Sequence, residues 1–135
     1  MNTGRDNELL ARISECLGTE EDIVVAIAFG SVARGDLRRD SDLDIAVLTS
    51  QPLSVGRRRE LIALLADLGG RPVDLVDLRT SGLPVSRSAL TKGKLLVCRD
   101  RSAFANLISR MLLDTADFLP YRERILRERR ASWIA

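Results

Sequence analysis

The residues of this sequence best suited to catalysis are two aspartates one residue apart, Asp42 and Asp44, in the segment DLDIAVL. The apolar residues around them predict a β-strand, in which side chains two positions apart share a face, roughly 7 Å apart at Cα. Two such carboxylates in an apolar strand repel each other and lose hydration. A divalent cation removes both costs, because hard cations such as Mg²⁺ favour carboxylate oxygens. The pair therefore indicates a metal site, although an isolated pair of this kind is more often simply solvated.

Directly upstream, Gly30 and Ser31 follow another predicted strand and open a turn. Glycine permits close approach of the backbone to a ligand, and serine adds a hydroxyl beside N–H groups that can form an anion nest. A phosphate site and a metal site would then lie at the ends of consecutive strands, as a metal–triphosphate complex requires. Residues 30–35 fit the first half of a P-loop, but Asp36 and Leu37 stand where that motif requires Lys and Ser or Thr, which excludes it.

A third carboxylate, Asp74, lies between Val73 and Leu75 in another apolar segment. If this segment forms a strand beside the one that carries Asp44, Asp74 can reach the same metal cluster. Asp77 is the rival candidate, but its position near the end of the strand makes solvation easy. We therefore predict that Asp74 is the third member of the site.

The elements that must position these residues alternate along the chain. Apolar residues at helical spacing predict helices, and short apolar runs rich in β-branched residues predict buried strands. The predicted strands are 23–29, 43–48, 73–78 and 94–98, and the predicted helices are 6–17, 53–68 and 104–112, with a loop or short helix at 81–91. Asp6 or Asn7 is expected to cap the first helix. This interleaving favours an α/β or α+β domain with a small mixed β-sheet flanked by helices.

Composition limits the chemistry that the chain can perform. Its 135 residues suit one compact domain. The absence of histidine excludes a histidine-assisted nucleophile and a His-rich zinc site. No apolar run approaches the roughly 20 residues needed to span a bilayer, and the N-terminus lacks the pattern of a secretory signal. Cys16 and Cys98 form no CxxC pair and are expected to be buried, reduced thiols. These features predict a cytoplasmic protein without membrane contact.

Positive charge is concentrated at the C-terminus, in residues 118–135. The nearly neutral remainder argues against a broad nucleic-acid-binding face. We expect residues 1–119 to form the domain and residues 120–135 a basic tail that packs on it or docks on a protein partner. The run of three arginines at 57–59 is expected to be a solvated face at the start of a helix.

The stretch GSVARGDLRRDSDLD, residues 30–44, has Gly-Ser, ten intervening residues and Asp-x-Asp. It resembles the signature of the polymerase-beta-like nucleotidyltransferase superfamily. Ala-Arg-Gly at 33–35 and Ser41 resemble its minimal nucleotidyltransferase branch, and Asp74 resembles the third aspartate of the pattern. Many members of this branch resemble antitoxins encoded beside a HEPN-type ribonuclease toxin. The resemblance implies a nucleotidyltransferase fold, transfer of AMP from ATP to a tyrosine of that toxin, and a hetero-oligomer with it.

The resemblance also implies roles for individual residues. The candidate site residues are Asp42, Asp44, Asp74, Gly30, Ser31 and Arg34. The three carboxylates would bind two Mg²⁺ ions, and Asp74 would also orient or deprotonate the acceptor hydroxyl. The Gly-Ser turn would bind the β- and γ-phosphates, and Arg34 would neutralise phosphate charge. Two alternatives stay open: a non-catalytic antitoxin that masks its toxin, and a small-molecule nucleotidyltransferase whose accessory domain is another subunit.

Overall fold

The computed structural model describes residues 3–116 of the chain. The predicted basic tail, residues 120–135, and the domain boundary before it lie outside these residues. Among the described helices, none is both long enough and apolar enough to cross a membrane. Cys16 and Cys98 are free thiols, as predicted, but each is only half-buried.

Strands and helices alternate in the order that the sequence predicts, and each predicted strand is present to within one residue at each end. The elements are α1 (Thr3–Gly18), β1 (Ile23–Phe29), α2 (Ser31–Arg34), β2 (Leu43–Thr49), α3 (Val55–Gly69), β3 (Val73–Asp77), α4 (Leu83–Lys92) and β4 (Lys94–Cys98). A further helix, α5, occupies residues 101–116.

The four strands form one mixed sheet in the order β3-β2-β1-β4. β1 pairs antiparallel with both β2 and β4, whereas β2 and β3 are parallel. A parallel pair needs a crossover, and α3 provides it by packing back onto the sheet. The predicted α/β domain with a small mixed sheet is thus confirmed.

Two apolar clusters cover the two faces of the sheet. The first joins α1 and α3 to the strands and includes Ile13, Leu17, Ile45, Leu61, Leu65 and Leu75. The second lies under α4 and α5 and includes Val25, Ile27, Phe29, Ala46, Ala89 and Leu107. Since strand side chains alternate between faces, Asp44 shares the face of Ala46, at the end of the sheet where β2 begins and β1 ends.

Asp6 does not cap the first helix, because α1 begins at Thr3 and already contains Asp6 as an internal residue. The side chain of Asp6 is buried, with 4% of the residue exposed. Its Oδ2 accepts a hydrogen bond of 3.1 Å from the backbone N–H of Leu37. A buried carboxylate requires such a donor, so Asp6 joins α1 to the segment that follows α2.

The arginine run at the start of α3 is not a solvated face, which corrects the sequence expectation. The Arg57 guanidinium donates to both carboxylate oxygens of Asp22, at 2.7 and 2.9 Å, and to Glu20 at 3.0 Å. Arg58 donates to the backbone carbonyl of Leu75. Only Arg59 is exposed. The acceptors lie on neighbouring elements, so folding brings them to two of the three arginines.

Candidate active site

Asp44 and Asp74 stand directly opposite each other on the parallel strands β2 and β3. Opposite residues on paired strands point to the same face, and such strands lie about 4.8 Å apart. Asp77 lies opposite Val47, at the far end of β3. Its Oδ1 accepts the backbone N–H of Arg79 at 3.0 Å and so stabilises the turn after the strand. The structure therefore places Asp74, and not Asp77, beside Asp44.

Asp42 completes a group of three carboxylates at this end of the sheet. It directly precedes β2, whose start is held by a hydrogen bond of 2.9 Å from the N–H of Leu43 to the carbonyl of Pro72. Burial raises the pKa of the Asp44 carboxyl, the negative charges of Asp74 and Asp42 raise it further, and Arg34 acts in the opposite direction. Asp42 and Asp74 thus lie close enough to Asp44 to act on it electrostatically.

Gly30 lies against this group because β1 ends beside Asp44. Phe29, the last residue of β1, is the register partner of Asp44. Gly30 follows with φ 70° and ψ −146°, a conformation that glycine adopts far more readily than any other residue. A Cβ atom at this position would overlap Oδ2 of Asp44. A side chain at position 30 would therefore displace the Asp44 carboxylate, in addition to hindering the approach of a ligand.

Ser31 begins α2, and Gly30 provides no side chain to cap it. The first amides of a helix have no acceptor within that helix. The Ser31 side chain forms no hydrogen bond within the described part of the chain. A turn with such N–H and O–H donors, next to three carboxylates, has the chemistry to bind phosphate groups.

Arg34 lies at the rim of the site. Its Nε is 3.6 Å from Oδ1 of Asp36, in an ion pair whose side chains are 65% and 61% exposed. Such exposed pairs contribute only about 0–1 kcal/mol. The Arg34 side chain is therefore available to exchange Asp36 for a phosphate.

Sequence reasoning missed two residues that hold the segment before Asp42. The first is Asp6, which accepts the N–H of Leu37. The second is Arg71, whose Nη1 donates to the carbonyls of Arg38 at 2.6 Å and Ser41 at 3.3 Å. An arginine before a proline in a turn has the pattern of a solvated residue, so no local signal could have identified it.

The donor set suits Mg²⁺ in its chemistry, because three carboxylates supply only hard oxygen ligands. Asp42 and Asp74 are exposed, whereas Asp44 is half-buried, and its pKa is raised first by burial and then by the negative charges of Asp74 and Asp42. Within the described residues, however, no three acidic, cysteine or histidine side chains lie close enough together to hold an ion. The carboxylates share one end of the sheet, and their side chains would have to turn toward a common ligand.

The chain is similar to known proteins in both sequence and fold. The family "Polymerase beta, Nucleotidyltransferase" matches residues 11–102, more than half of the chain. The protein adenylyltransferase MntA of Shewanella oneidensis is 43% identical over 68 residues, which are 50% of this chain and 49% of that protein. The chain thus spans about half the length of this curated relative.

Two solved structures extend the likeness to nearly the whole chain. One is a toxin–antitoxin with AMP-PNP, in which the matched chain is 26% identical with a TM-score of 0.70, covering 95% of this chain and 98% of that one. The other is a mutant of the toxin–antitoxin MntA–HpeT, in which the matched chain is 25% identical with a TM-score of 0.71 and the same coverage. These matches confirm the predicted fold.

Proposed function

Because this chain belongs to the polymerase beta nucleotidyltransferase family, we propose that it is a Mg²⁺-dependent enzyme that transfers AMP from ATP to a hydroxyl of a HEPN-type ribonuclease toxin and thereby acts as its antitoxin. The observation that carries the proposal is the register that sets Asp44 beside Asp74. A carboxylate group next to a phosphate-binding turn is what metal-assisted nucleotidyl transfer needs. Neutralisation by binding alone would need neither.

The three carboxylates Asp42, Asp44 and Asp74 would hold the metal. The family resemblance implies that two Mg²⁺ ions bind there. Bound Mg²⁺ would supply charge neutralisation for the triphosphate and a lower pKa for the acceptor hydroxyl. Asp74, exposed at the edge of the group, would orient the acceptor hydroxyl and accept its proton. The acceptor oxygen forms its bond to the α-phosphorus as the bond to the bridging oxygen breaks, and pyrophosphate leaves. The chain contains no histidine, so a carboxylate is the natural base.

The Gly-Ser turn would bind the β- and γ-phosphates. The backbone of Gly30 and the hydroxyl of Ser31 supply donors beside Asp44, and the first amides of α2 add further N–H groups. Arg34 would leave its weak, exposed pair with Asp36 to neutralise phosphate charge. These contacts would leave the α-phosphorus next to the carboxylates.

The acceptor is proposed to be a tyrosine side chain on a partner protein. Asp42 and Asp74 are exposed, so a residue presented on another protein's surface can reach them. The relative MntA is named a protein adenylyltransferase, and both similar structures are toxin–antitoxin structures, one of them with AMP-PNP. These likenesses support a protein acceptor and a hetero-oligomer with the toxin over a small-molecule acceptor. ATP as the substrate agrees with the predicted cytoplasmic location.

The test first identifies a HEPN-type protein encoded beside this chain and then measures its intact mass after incubation with ATP and Mg²⁺. We expect mass increments of AMP with the wild type, and none when Asp44→Asn or Asp74→Asn replaces it or when EDTA is present. Asp77→Asn is the matched control, because it makes the same change on the same strand and Asn can still accept the N–H of Arg79.

Two results would contradict the proposal in different ways. A stable complex of the wild type with its partner, without any mass increment, would support masking instead of transfer. Undiminished increments with Asp44→Asn would refute the metal-binding role of the carboxylates.

A further inference from the structure

The segment between α2 and β2 is irregular, yet it delivers Asp42 to the site. Residues 35–42, which we call the signature loop, contain no helix or strand. Backbone groups outside regular elements must find other hydrogen-bond partners when they are removed from water. The partners of the signature loop therefore decide where Asp42 lies.

Arg71 supplies the main connection to this loop from outside. It lies in the turn between α3 and β3, three residues before Asp74. Its Nη1 donates to the carbonyls of Arg38 and Ser41, at 2.6 and 3.3 Å, and its Nε donates to the carbonyl of Gly69 at 3.4 Å. One charged group thus bridges two segments, and hydrogen bonds from a charged donor are roughly twice as strong as neutral ones.

The other end of the loop is anchored in the core. Leu37 is buried, with 4% of the residue exposed, and its N–H donates to the buried carboxylate of Asp6. Within the loop, the N–H of Ser41 donates to the carbonyl of Arg38 at 3.1 Å, and the Ser41 hydroxyl accepts the N–H of Arg38 at 3.2 Å. These bonds make a closed turn, and Arg71 attaches that turn to the rest of the domain.

We infer that Arg71 is a positioning residue, which sets Asp42 relative to Asp74 by joining the signature loop to the turn before β3. It acts through the backbone of Ser41, the residue next to Asp42, and needs no contact with substrate. Its bearing on catalysis rests on the proposed function, whereas its ordering of the loop does not. Without Arg71, the carboxylate of Asp42 would have to be ordered by the metal itself. Losing such support for a metal ligand typically lowers metal affinity about 10-fold or more.

The test compares Arg71→Met with Arg79→Met in the full-length protein. Arg79 also donates from its guanidinium to a backbone carbonyl, that of Thr49 at 2.7 Å, but at the opposite end of the sheet. Amide hydrogen exchange of residues 36–43, Mn²⁺ binding followed by electron paramagnetic resonance, and Tm are measured for both variants. We expect Arg71→Met to accelerate exchange in the loop and to weaken Mn²⁺ binding about 10-fold. Arg79→Met should do neither, although its Tm falls by a similar amount.

Arg71→Lys provides a second variant that keeps the charge. Lysine is a point donor and cannot bond several carbonyls through a fixed fork, so loop exchange and Mn²⁺ affinity should fall between those of the wild type and Arg71→Met. Equal loop exchange in Arg71→Met and Arg79→Met would overturn the inference, and so would equal Mn²⁺ affinity. If Arg71→Met behaves as expected but the wild type adds no AMP to its partner, the proposed function fails and the positioning role stands.

Discussion

Replacing Gly30 by alanine should have two separate effects, one on the backbone of residue 30 and one on the neighbouring Asp44 side chain. The first cost is conformational, because the residue has φ 70° and ψ −146°, a conformation that costs an L-residue about 1–3 kcal/mol. The second is steric, because the new Cβ overlaps Oδ2 of Asp44. The backbone cost lowers stability, and the steric cost falls on a carboxylate of the candidate site.

The two costs should have different readouts. A loss of about 1–3 kcal/mol lowers the Tm of a domain of this size by roughly 3–12 °C. Movement of the Asp44 carboxylate by about 1 Å, which relieves the overlap, should lower the rate of transfer about 100-fold. The expected variant is therefore folded, modestly destabilised and nearly inactive.

Gly70→Ala is the matched control. Gly70 has φ 63°, and a Cβ there would meet no atom within 4 Å. It carries a backbone cost alone, about 1–2 kcal/mol for the left-handed helical conformation with ψ 29°, so its Tm should fall by no more than that of Gly30→Ala while transfer continues. The assay is the initial rate of AMP labelling of the partner, beside thermal unfolding of each variant. Equal transfer rates in the two variants would refute the argument that the Asp44 carboxylate sets the requirement for glycine at position 30.

Two further predictions concern stability. The hydrogen bonds and charge of Arg57 hold the pKa of Asp22 below its ordinary value, so the stabilisation is present above the unfolded pKa of about 3.9 and is lost as the pH falls through the lower folded value. Asp22→Asn should therefore cost about 1 kcal/mol at pH 7 and progressively less as the pH falls below about 3.9, measured by urea unfolding. Glu60→Gln, whose side chain is 69% exposed, should cost less at pH 7. A loss for Asp22→Asn that does not change with pH would contradict the assignment. Gly93→Ala should cost about 1–3 kcal/mol, because its Cβ would overlap the carbonyl of Ala89 and the side chain of Ile27. Gly82 lies at the other end of α4, where an added Cβ would meet only Pro84, at 4.0 Å. The free energy of unfolding of Gly82→Ala should therefore stay within about 0.5 kcal/mol of the wild type. Equal urea midpoints for the two glycine variants would disprove tight packing of α4 on β1.

The strands and the candidate site could be predicted from the sequence because their signals are local. A buried strand needs a short apolar run, and the runs at 23–29 and 94–98 match the observed strands. Gly30, Ser31, Asp42 and Asp44 lie within fifteen residues and form a recognisable spacing. Asp74 could be preferred over Asp77 by its place in an apolar strand, but the local pattern does not contain the register that sets it opposite Asp44.

The tertiary structure alone decided the partners of the buried and half-buried charges. Asp6 binds a backbone N–H that is 31 residues away, Arg71 binds a carbonyl 33 residues away, and Arg57 binds Asp22 across 35 residues. A charged residue has the same local pattern whether water or a distant carbonyl satisfies it, because hydrogen bonding depends on which groups the fold brings together. The sequence by itself therefore determined the strands and the type of chemistry at their ends. Folding decided which carboxylates face each other and which side chains hold the loop that carries Asp42.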